Sequence, residues 1–315
     1  MQRFQRILLS LLLGLTLVGL VIQMGCDIAS ELGPEGGYTK AQVERGRYLV
    51  MNVSLCWECH TPFGPTGPDM ERLLAGGREF IPGALSTPNL TPDPETGIGK
   101  WTDQQIFTAI TKGIGHFDDE PEGEPLFPIM PYYQFANMTP EDVTSIIAFL
   151  RSVKPIKNEV PERALPFPVP PPAKPLNYSS LPGANDDPGK YLTSAAGVCL
   201  ECHTRRVNPQ DPASLDSTKY FAGGEEFPIP GLKVASANLT SDKETGIGNW
   251  TRQQIITALR EGKNPKGEPL CPPMPQFKDL TGGDIDAIVN FIRNLPPIKN
   301  KVEECELVEG PPPAP

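Results

Sequence analysis

Apolar residues recur at helical spacing in two places along the chain. Val143, Ile146, Ile147 and Leu150 follow Thr139-Pro140, and Ile285, Ile288, Val289 and Ile292 follow Thr281. The i, i+3, i+4, i+7 order predicts one buried face on each of two helices, and a cap followed by a first-turn proline predicts where the earlier one starts. Thr102-Asp-Gln-Gln105 and Thr251-Arg-Gln-Gln254 have capping-box form and predict two shorter helices. Ala41 to Asn52 reads as a further helix running into a cysteine cluster. No stretch alternates as a strand, so the pattern predicts an all-α fold class with long loops between helices.

The pattern also repeats. Gly46-Arg-Tyr-Leu49 returns as Gly189-Lys-Tyr-Leu192, and Ala75-Gly-Gly77 returns as Ala222-Gly-Gly224. Asn89-Leu-Thr-Pro-Asp-Pro-Glu-Thr-Gly-Ile-Gly-Lys-Trp101 returns as Asn238-Leu-Thr-Ser-Asp-Lys-Glu-Thr-Gly-Ile-Gly-Asn-Trp250, and Pro155-Ile-Lys-Asn158 as Pro297-Ile-Lys-Asn300. A tandem duplication is the reading, with a first unit over 39–158 and a second over 186–302. Between them, 159–185 is proline-rich and reads either as a semi-rigid spacer or as a strap packed on both units. Residues 303–315 form a C-terminal tail. The length of 315 residues suits two domains.

At the N-terminus, Arg3 and Arg6 precede an apolar run from Ile7 to Ile22, and Gly25-Cys26 follows. A short basic segment, an apolar run below a full membrane span and a small residue make an export signal. Residues 1–26 are read as a cleaved signal, as a lipoprotein-type signal that lipidates Cys26, or as an uncleaved anchor. Gln23 and Met24 depart from the lipoprotein pattern. Each version places the body on the periplasmic side of a bacterial membrane, tethered to it where the anchor or lipid is kept.

Composition sharpens this picture. The chain has 38 prolines, 30 glycines and only 7% aromatic residues, which describes loop-rich domains that gain from burying a large apolar cofactor. A formal net charge of −10 argues against nucleic acid and against basic-patch adhesion to lipid.

The candidate chemistry lies in Cys56-Trp-Glu-Cys59-His60 and Cys199-Leu-Glu-Cys202-His203. Cys-x-x-Cys-His attaches c-type haem: one helical turn offers two thiols to the vinyl groups, and the histidine reaches iron. A zinc site would need more ligands than three histidines in the whole chain provide. Two haem c groups are therefore expected. Phe127-Pro-Ile-Met130-Pro131 aligns with Cys271-Pro-Pro-Met274-Pro275, which makes Met130 and Met274 the candidate sixth ligands. Met138 has no counterpart in the second unit.

The remaining candidates are less sharp. Trp101 and Trp250 either donate to a haem propionate, with Arg78 helping in the first unit, or anchor packing. The Asn-Leu-Thr triplets match a glycosylation sequon and read as turn formers. His116 is an alternative iron ligand or a loop histidine. Cys271 and Cys305 are expected to form a disulfide that clamps the tail to the Met274 loop, the rival being a free Cys271 near iron. Residues 38–153 hold 8 basic and 15 acidic residues, whereas 184–302 hold 14 of each. Asp118, Asp119, Glu120, Glu122 and Glu124 form an acidic strip that would steer a basic cytochrome.

Taken together, the haem motifs, Ala-Gly-Gly, Glu-Thr-Gly-Ile-Gly-x-Trp and Met-Pro resemble the cytochrome c subunits of bacterial membrane-bound alcohol and gluconate dehydrogenases. The resemblance implies two tandem cytochrome c-type helical domains and an electron carrier rather than an enzyme. It also implies a dehydrogenase or a quinol-oxidising complex as redox donor, and a separate acceptor. The alternative is a dihaem peroxidase or another dihaem redox enzyme with one open or cysteine-ligated iron.

Overall fold

The computed structural model describes residues 37–64, 67–117, 122–208, 211, 213–229, 231–303 and 305–307. The proposed signal with Cys26, the strip residues Asp118, Asp119 and Glu120, and the end of the tail lie outside the described residues. Among the described residues no helix is long and apolar enough to cross a membrane.

The chain opens with α1 (Lys40–Tyr48), which starts at a reciprocal box between Thr39 and Gln42. It continues as a π-turn over Leu49–Val53, so the helix expected over 41–52 is α-helical only in its first part. The first cysteine turn is α2 (Cys56–His60). Next come α3 (Asp103–Lys112), α4 (Tyr132–Phe135) and α5 (Pro140–Ser152). The second unit holds α6 (Pro188–Ser194), the second cysteine turn α7 (Cys199–Cys202), α8 (Arg252–Glu261) and α9 (Gly282–Arg293). The boxes of Thr102 with Gln105 and of Thr251 with Gln254 satisfy the first amides of α3 and α8. Both helices end at a glycine with positive φ, Gly113 and Gly262.

In each unit the first and last helices cross closely. A Cβ on Gly46 of α1 would lie 1.7 Å from the Ser145 carbonyl oxygen of α5, and one on Gly189 of α6 would lie 2.2 Å from that of Ala287 in α9. Only glycine permits these crossings, which accounts for its recurrence before Tyr48 and Tyr191. The apolar faces of α5 and α9 are buried. With Leu49, Phe135, Leu192 and Phe221 they belong to one continuous apolar cluster drawn from both units.

The all-α expectation does not hold. Among the described residues helix makes up only 33%, and four small antiparallel sheets pin the loops. Three are two-stranded: β1 (Phe63–Gly64) with β2 (Gly67–Pro68), β3 (Glu79–Ile81) with β4 (Leu85–Ser86), and β5 (Ile114–Gly115) with β6 (Glu124–Pro125). The fourth orders β7 (Glu226–Ile229), β8 (Leu232–Ala235) and β9 (Glu306–Leu307). Strands of two to four residues are too short to show alternation. Several carry proline, which their edge positions tolerate.

The proline-rich stretch behaves as a strap. Ala164 N–H donates to Ala84 O (2.9 Å), Ala173 N–H to the Tyr132 phenol (2.9 Å) and Leu176 N–H to Tyr133 O (2.8 Å). Its far end is held by Lys190, whose buried ammonium donates to Leu181 O, Gly183 O and Asn185 Oδ1 at 3.0–3.1 Å.

Candidate functional site

Each cysteine turn is fixed by the loop that follows it. The amide of Gly76 donates to His60 O, that of Gly77 to Thr87 O, and that of Leu90 to Leu74 O, each at 2.8 Å. Gly223, Gly224 and Leu239 make the matching bonds to His203 O, Ser236 O and Phe221 O, also at 2.8 Å. These bonds lay the segment at Pro88 and Ala237 alongside the histidine. Gly76 has φ +72°, and a Cβ there would meet Pro88 C at 2.5 Å, so the recurring Ala-Gly-Gly follows from this close approach.

The asparagine–threonine pair locks the same loop. Asn89, buried at 2% exposure, donates through Nδ2 to Ile156 O (2.8 Å) and accepts from Thr91 N–H (2.9 Å). Asn158 donates to Ala75 O (2.8 Å). Asn238, Thr240, Ile298, Asn300 and Ala222 make the matching set. The two Asn-Leu-Thr triplets are therefore buried turn formers, and Pro-Ile-Lys-Asn is the strand of chain they hold.

The result is two imidazoles with one nitrogen spoken for. His60 Nδ1 lies 3.0 Å from Pro88 O, and His203 Nδ1 lies 2.8 Å from Ala237 O. A carbonyl accepts only, so Nδ1 carries the proton and Nε2 keeps its lone pair. Burial also lowers the pKa of both rings below the usual histidine value, although the carbonyl contacts oppose it. Each turn carries two cysteines outside any disulfide. The protein around Cys56 and Cys199 pushes each thiol up to about 12.

Two thiols on one turn, a neutral imidazole with a free Nε2, and a soft thioether on a proline-flanked loop of the same unit are the donor types of covalent haem. The residues fit it in both units. Cys56, Cys59, Cys199 and Cys202 would hold the porphyrin, with His60 and His203 on iron. Met130 and Met274 are half-buried and packed against the apolar cluster, on loops turned by Met130 N–H to Phe127 O (3.2 Å) and Met274 N–H to Cys271 O (3.3 Å). Met138 is buried within the core.

The other sequence candidates are placed as follows. Trp101 packs edge-on to His116 (5.7 Å) and Phe117 (5.2 Å). The Arg78 guanidinium donates to Glu58 O and lies 4.7 Å from the Phe63 ring centroid. Cys271 and Cys305 are joined by a disulfide, with Cα atoms 6.2 Å apart. Of the acidic strip, Glu122 is exposed and Glu124 is ion-paired with Arg163 of the strap at 2.8 Å.

Three features escaped sequence reasoning. The units meet through the residues just ahead of each cysteine turn: Ser54 Oγ donates to Ala196 O (2.7 Å), and Gln134 Nε2 donates to Gly197 O. Trp57, inside the first motif, donates to Met51 O (2.9 Å). Arg206, three residues past His203, bridges the carboxylates of Glu201 and Glu225.

Residues 43–154 match the family model for cytochrome c. The alcohol dehydrogenase (quinone) cytochrome c subunit of Gluconacetobacter polyoxogenes is 29% identical over 82% of this chain and 57% of its own length. That of Gluconobacter oxydans is 32% identical over 71% of this chain and 48% of its own length. The chain thus spans about half the length of these dehydrogenase subunits. A diheme cytochrome c-type protein of Cereibacter sphaeroides is 27% identical over 78% of this chain and 83% of its own length. The chain carries a cytochrome c domain over 43–154 and is similar over most of its length to cytochrome c subunits of alcohol and gluconate dehydrogenases.

Proposed function

We propose that this chain carries electrons through two covalently attached haem c groups, one ligated by His60 and Met130 and the other by His203 and Met274. The observation that supports this reading best is the matched pair of Nδ1 contacts, His60 to Pro88 O and His203 to Ala237 O. Each offers iron an imidazole of fixed tautomer and fixed orientation. Haem, when bound, supplies a reversible one-electron iron couple whose potential follows from ligand identity, burial and nearby charge. The protein's part is to hold its ligands still: the glycine loops fix the histidines, and the proline-flanked loops carry the methionines.

The relatives' names, cytochrome c subunits of alcohol and gluconate dehydrogenases and the cytochrome subunit of a fructose dehydrogenase, support a dehydrogenase as electron donor, with a separate redox protein as acceptor. The reading as a tandem pair of cytochrome units, over 39–158 and 186–302, places one haem in each. The N-terminal segment supports a site of action on the periplasmic side of a bacterial membrane, tethered by lipid on Cys26 or by an uncleaved anchor. A carrier also accounts for Cys271, whose sulfur is bonded to Cys305 rather than offered to iron.

The test is the optical spectrum of the oxidised, haem-loaded chain, with haem counted per chain and with peroxide and cyanide added. Two low-spin haems that show the methionine–iron charge-transfer band and ignore peroxide are expected. A single haem, or a high-spin centre that reacts with peroxide, would refute the two-haem carrier.

A further inference from the structure

We propose that the charged side chains packed on the two cysteine turns give the haems unequal reduction potentials, the second-unit haem being the lower, so that electrons pass from the second unit to the first. The inference rests on the two-haem reading above and adds an order to it.

The two turns match residue for residue, yet their charged surroundings differ. Glu58 corresponds to Glu201, Phe63 to Arg206 and Arg78 to Glu225. The backbone positions correspond as well: Arg78 N–H donates to Thr87 Oγ1 (3.2 Å), and Glu225 N–H donates to Ser236 Oγ (3.1 Å). In the first unit, Arg78 donates to Glu58 O and rests over the Phe63 ring. The bond is to the Glu58 backbone carbonyl, and the Arg78 charge is felt at the Glu58 carboxyl as well, so the set holds one cation and one carboxylate. In the second unit, Arg206 is clamped by Glu201 and Glu225 at once, and its own N–H donates to Glu225 Oε2 (2.8 Å). Two carboxylates there face one cation, leaving one net negative charge.

This difference is placed where it counts. The side chains of Glu201, Arg206 and Glu225 are only 13%, 15% and 14% exposed, so water screens them little. Glu201 lies inside the motif next to Cys202; its charge is also felt at Cys59, where Arg78 opposes it. Lys190, the buried cation of the second unit, is turned towards the strap carbonyls rather than towards the cysteine turn. The first unit has the larger excess of acidic residues overall. Among them Glu44, Glu71, Glu79 and Glu122 are exposed, and exposed charges beyond a Debye length of ~8 Å are largely screened. Of the acids buried in the first unit, Asp142 is paired with Arg45 and Asp93 has Asp242 as its counterpart in the second, so the charges on the cysteine turns decide the order.

Negative charge near iron disfavours the extra electron, and positive charge favours it. A unit charge roughly 10 Å away at an effective dielectric of ~20 shifts such an equilibrium about tenfold, or ~59 mV for one electron. With haem bound in both units, one electron would pass from Fe(II) in the second to Fe(III) in the first. No bond, proton or ligand changes place.

The full-length, haem-loaded chain is titrated optically with redox mediators at neutral pH and fixed salt, with haem counted per chain. The wild type is expected to show two one-electron steps. Glu225→Gln keeps an acceptor for Arg206 and removes the net charge; it should raise the lower step by a factor of about ten in the internal equilibrium and leave the upper step in place. Arg78→Gln should lower the upper step and leave the lower one. The pair of variants gives independent readings should either fold poorly. Coincident steps in the wild type, a shift of the opposite step, or no shift in either variant overturns the inference while the two-haem reading stands. A chain with a single haem overturns both.

Discussion

The phenol of Tyr48, in the first unit, donates a 2.5 Å hydrogen bond to Asp284 Oδ2 in the second, and accepts one from Thr281 N–H at 3.1 Å. Tyr191 returns the contact. It donates to Asp142 Oδ2 (2.7 Å) and accepts from Thr139 N–H (3.3 Å). Each tyrosine ends the Gly-x-Tyr motif of one unit and reads the helix cap of the other. Such a reciprocal swap is what a two-fold interface between like units requires. It brings Ser54 onto Ala196 and Gln134 onto Gly197, just ahead of both cysteine turns.

Removing one phenol should therefore loosen both units, not one. Tyr48→Phe leaves the Asp284 carboxylate without its donor and is expected to cost about 1–3 kcal/mol. Tyr48→Phe combined with Tyr191→Phe should split a single urea transition, followed by far-UV circular dichroism, into two. A double variant that unfolds in one transition at the wild-type midpoint would show that the tyrosines do not couple the units.

Asp142 makes this interface sensitive to acid. Burial alone would raise its pKa, but hydrogen bonds from Arg45 and Tyr191 outweigh it and hold the carboxyl below its ordinary value. Arg45 approaches both oxygens at 2.8 Å. A carboxylate depressed on folding stabilises the protein above its unfolded pKa of about 3.9, and that contribution fades as pH falls through the folded value. Stability should thus decline below about pH 4. Asp142→Asn should be less stable at neutral pH and lose less on acidification. An acid limb of unchanged slope in Asp142→Asn would contradict this.

The cysteine turns and the helix caps were legible in the sequence because they are local. Cys-x-x-Cys-His fits on one helical turn, and the boxes at Thr102 and Thr251 span four residues each. The apolar faces of α5 and α9 were equally plain, since each is a helical period long. What needed the structure is assembled through space. Tyr48 meets Asp284 across 236 positions, and Arg206 meets Glu225 across 19. The small sheets were missed for another reason: β7 and β8 turn at Gly231 after at most four residues each, and the others are shorter still. The recurrence of Ala-Gly-Gly was visible, but its cause, a carbonyl pressed against a missing Cβ, was not.

That cause separates two neighbouring glycines. Gly76 and Gly77 both have positive φ, but a Cβ on Gly76 would strike Pro88 at 2.5 Å, while one on Gly77 would meet only Asn158 Nδ2 at 3.5 Å. Gly77→Ala should lose about 1–2 kcal/mol for backbone conformation alone. Gly76→Ala should lose more than that, because Pro88 must move, and with it the acceptor of His60 Nδ1. Thermal unfolding of the two haem-loaded variants distinguishes them. The magnetic circular dichroism of the first haem should change in Gly76→Ala only. Equal effects at both positions would remove the argument that the loop orients the histidine.

The disulfide supports only one of the two methionine loops. Cys271 precedes Met274 by three residues, and Cys305 carries the tail to β9, which pairs Leu232 with Leu307. The first unit has Phe127 where the second has Cys271, so the Met130 loop lacks this clamp. The cysteines are 34 residues apart, and closing such a loop is worth about 3–4 kcal/mol in the chain-entropy picture. Cys271→Ser with Cys305→Ser should therefore lower the unfolding midpoint in urea. It should also free the Met274 loop, so that about half of the methionine–iron charge-transfer absorbance is lost at a denaturant concentration where the wild type keeps all of it. Loss of the whole band would mean that both loops depend on the clamp. An unchanged band and midpoint would mean that the third strand alone holds the tail.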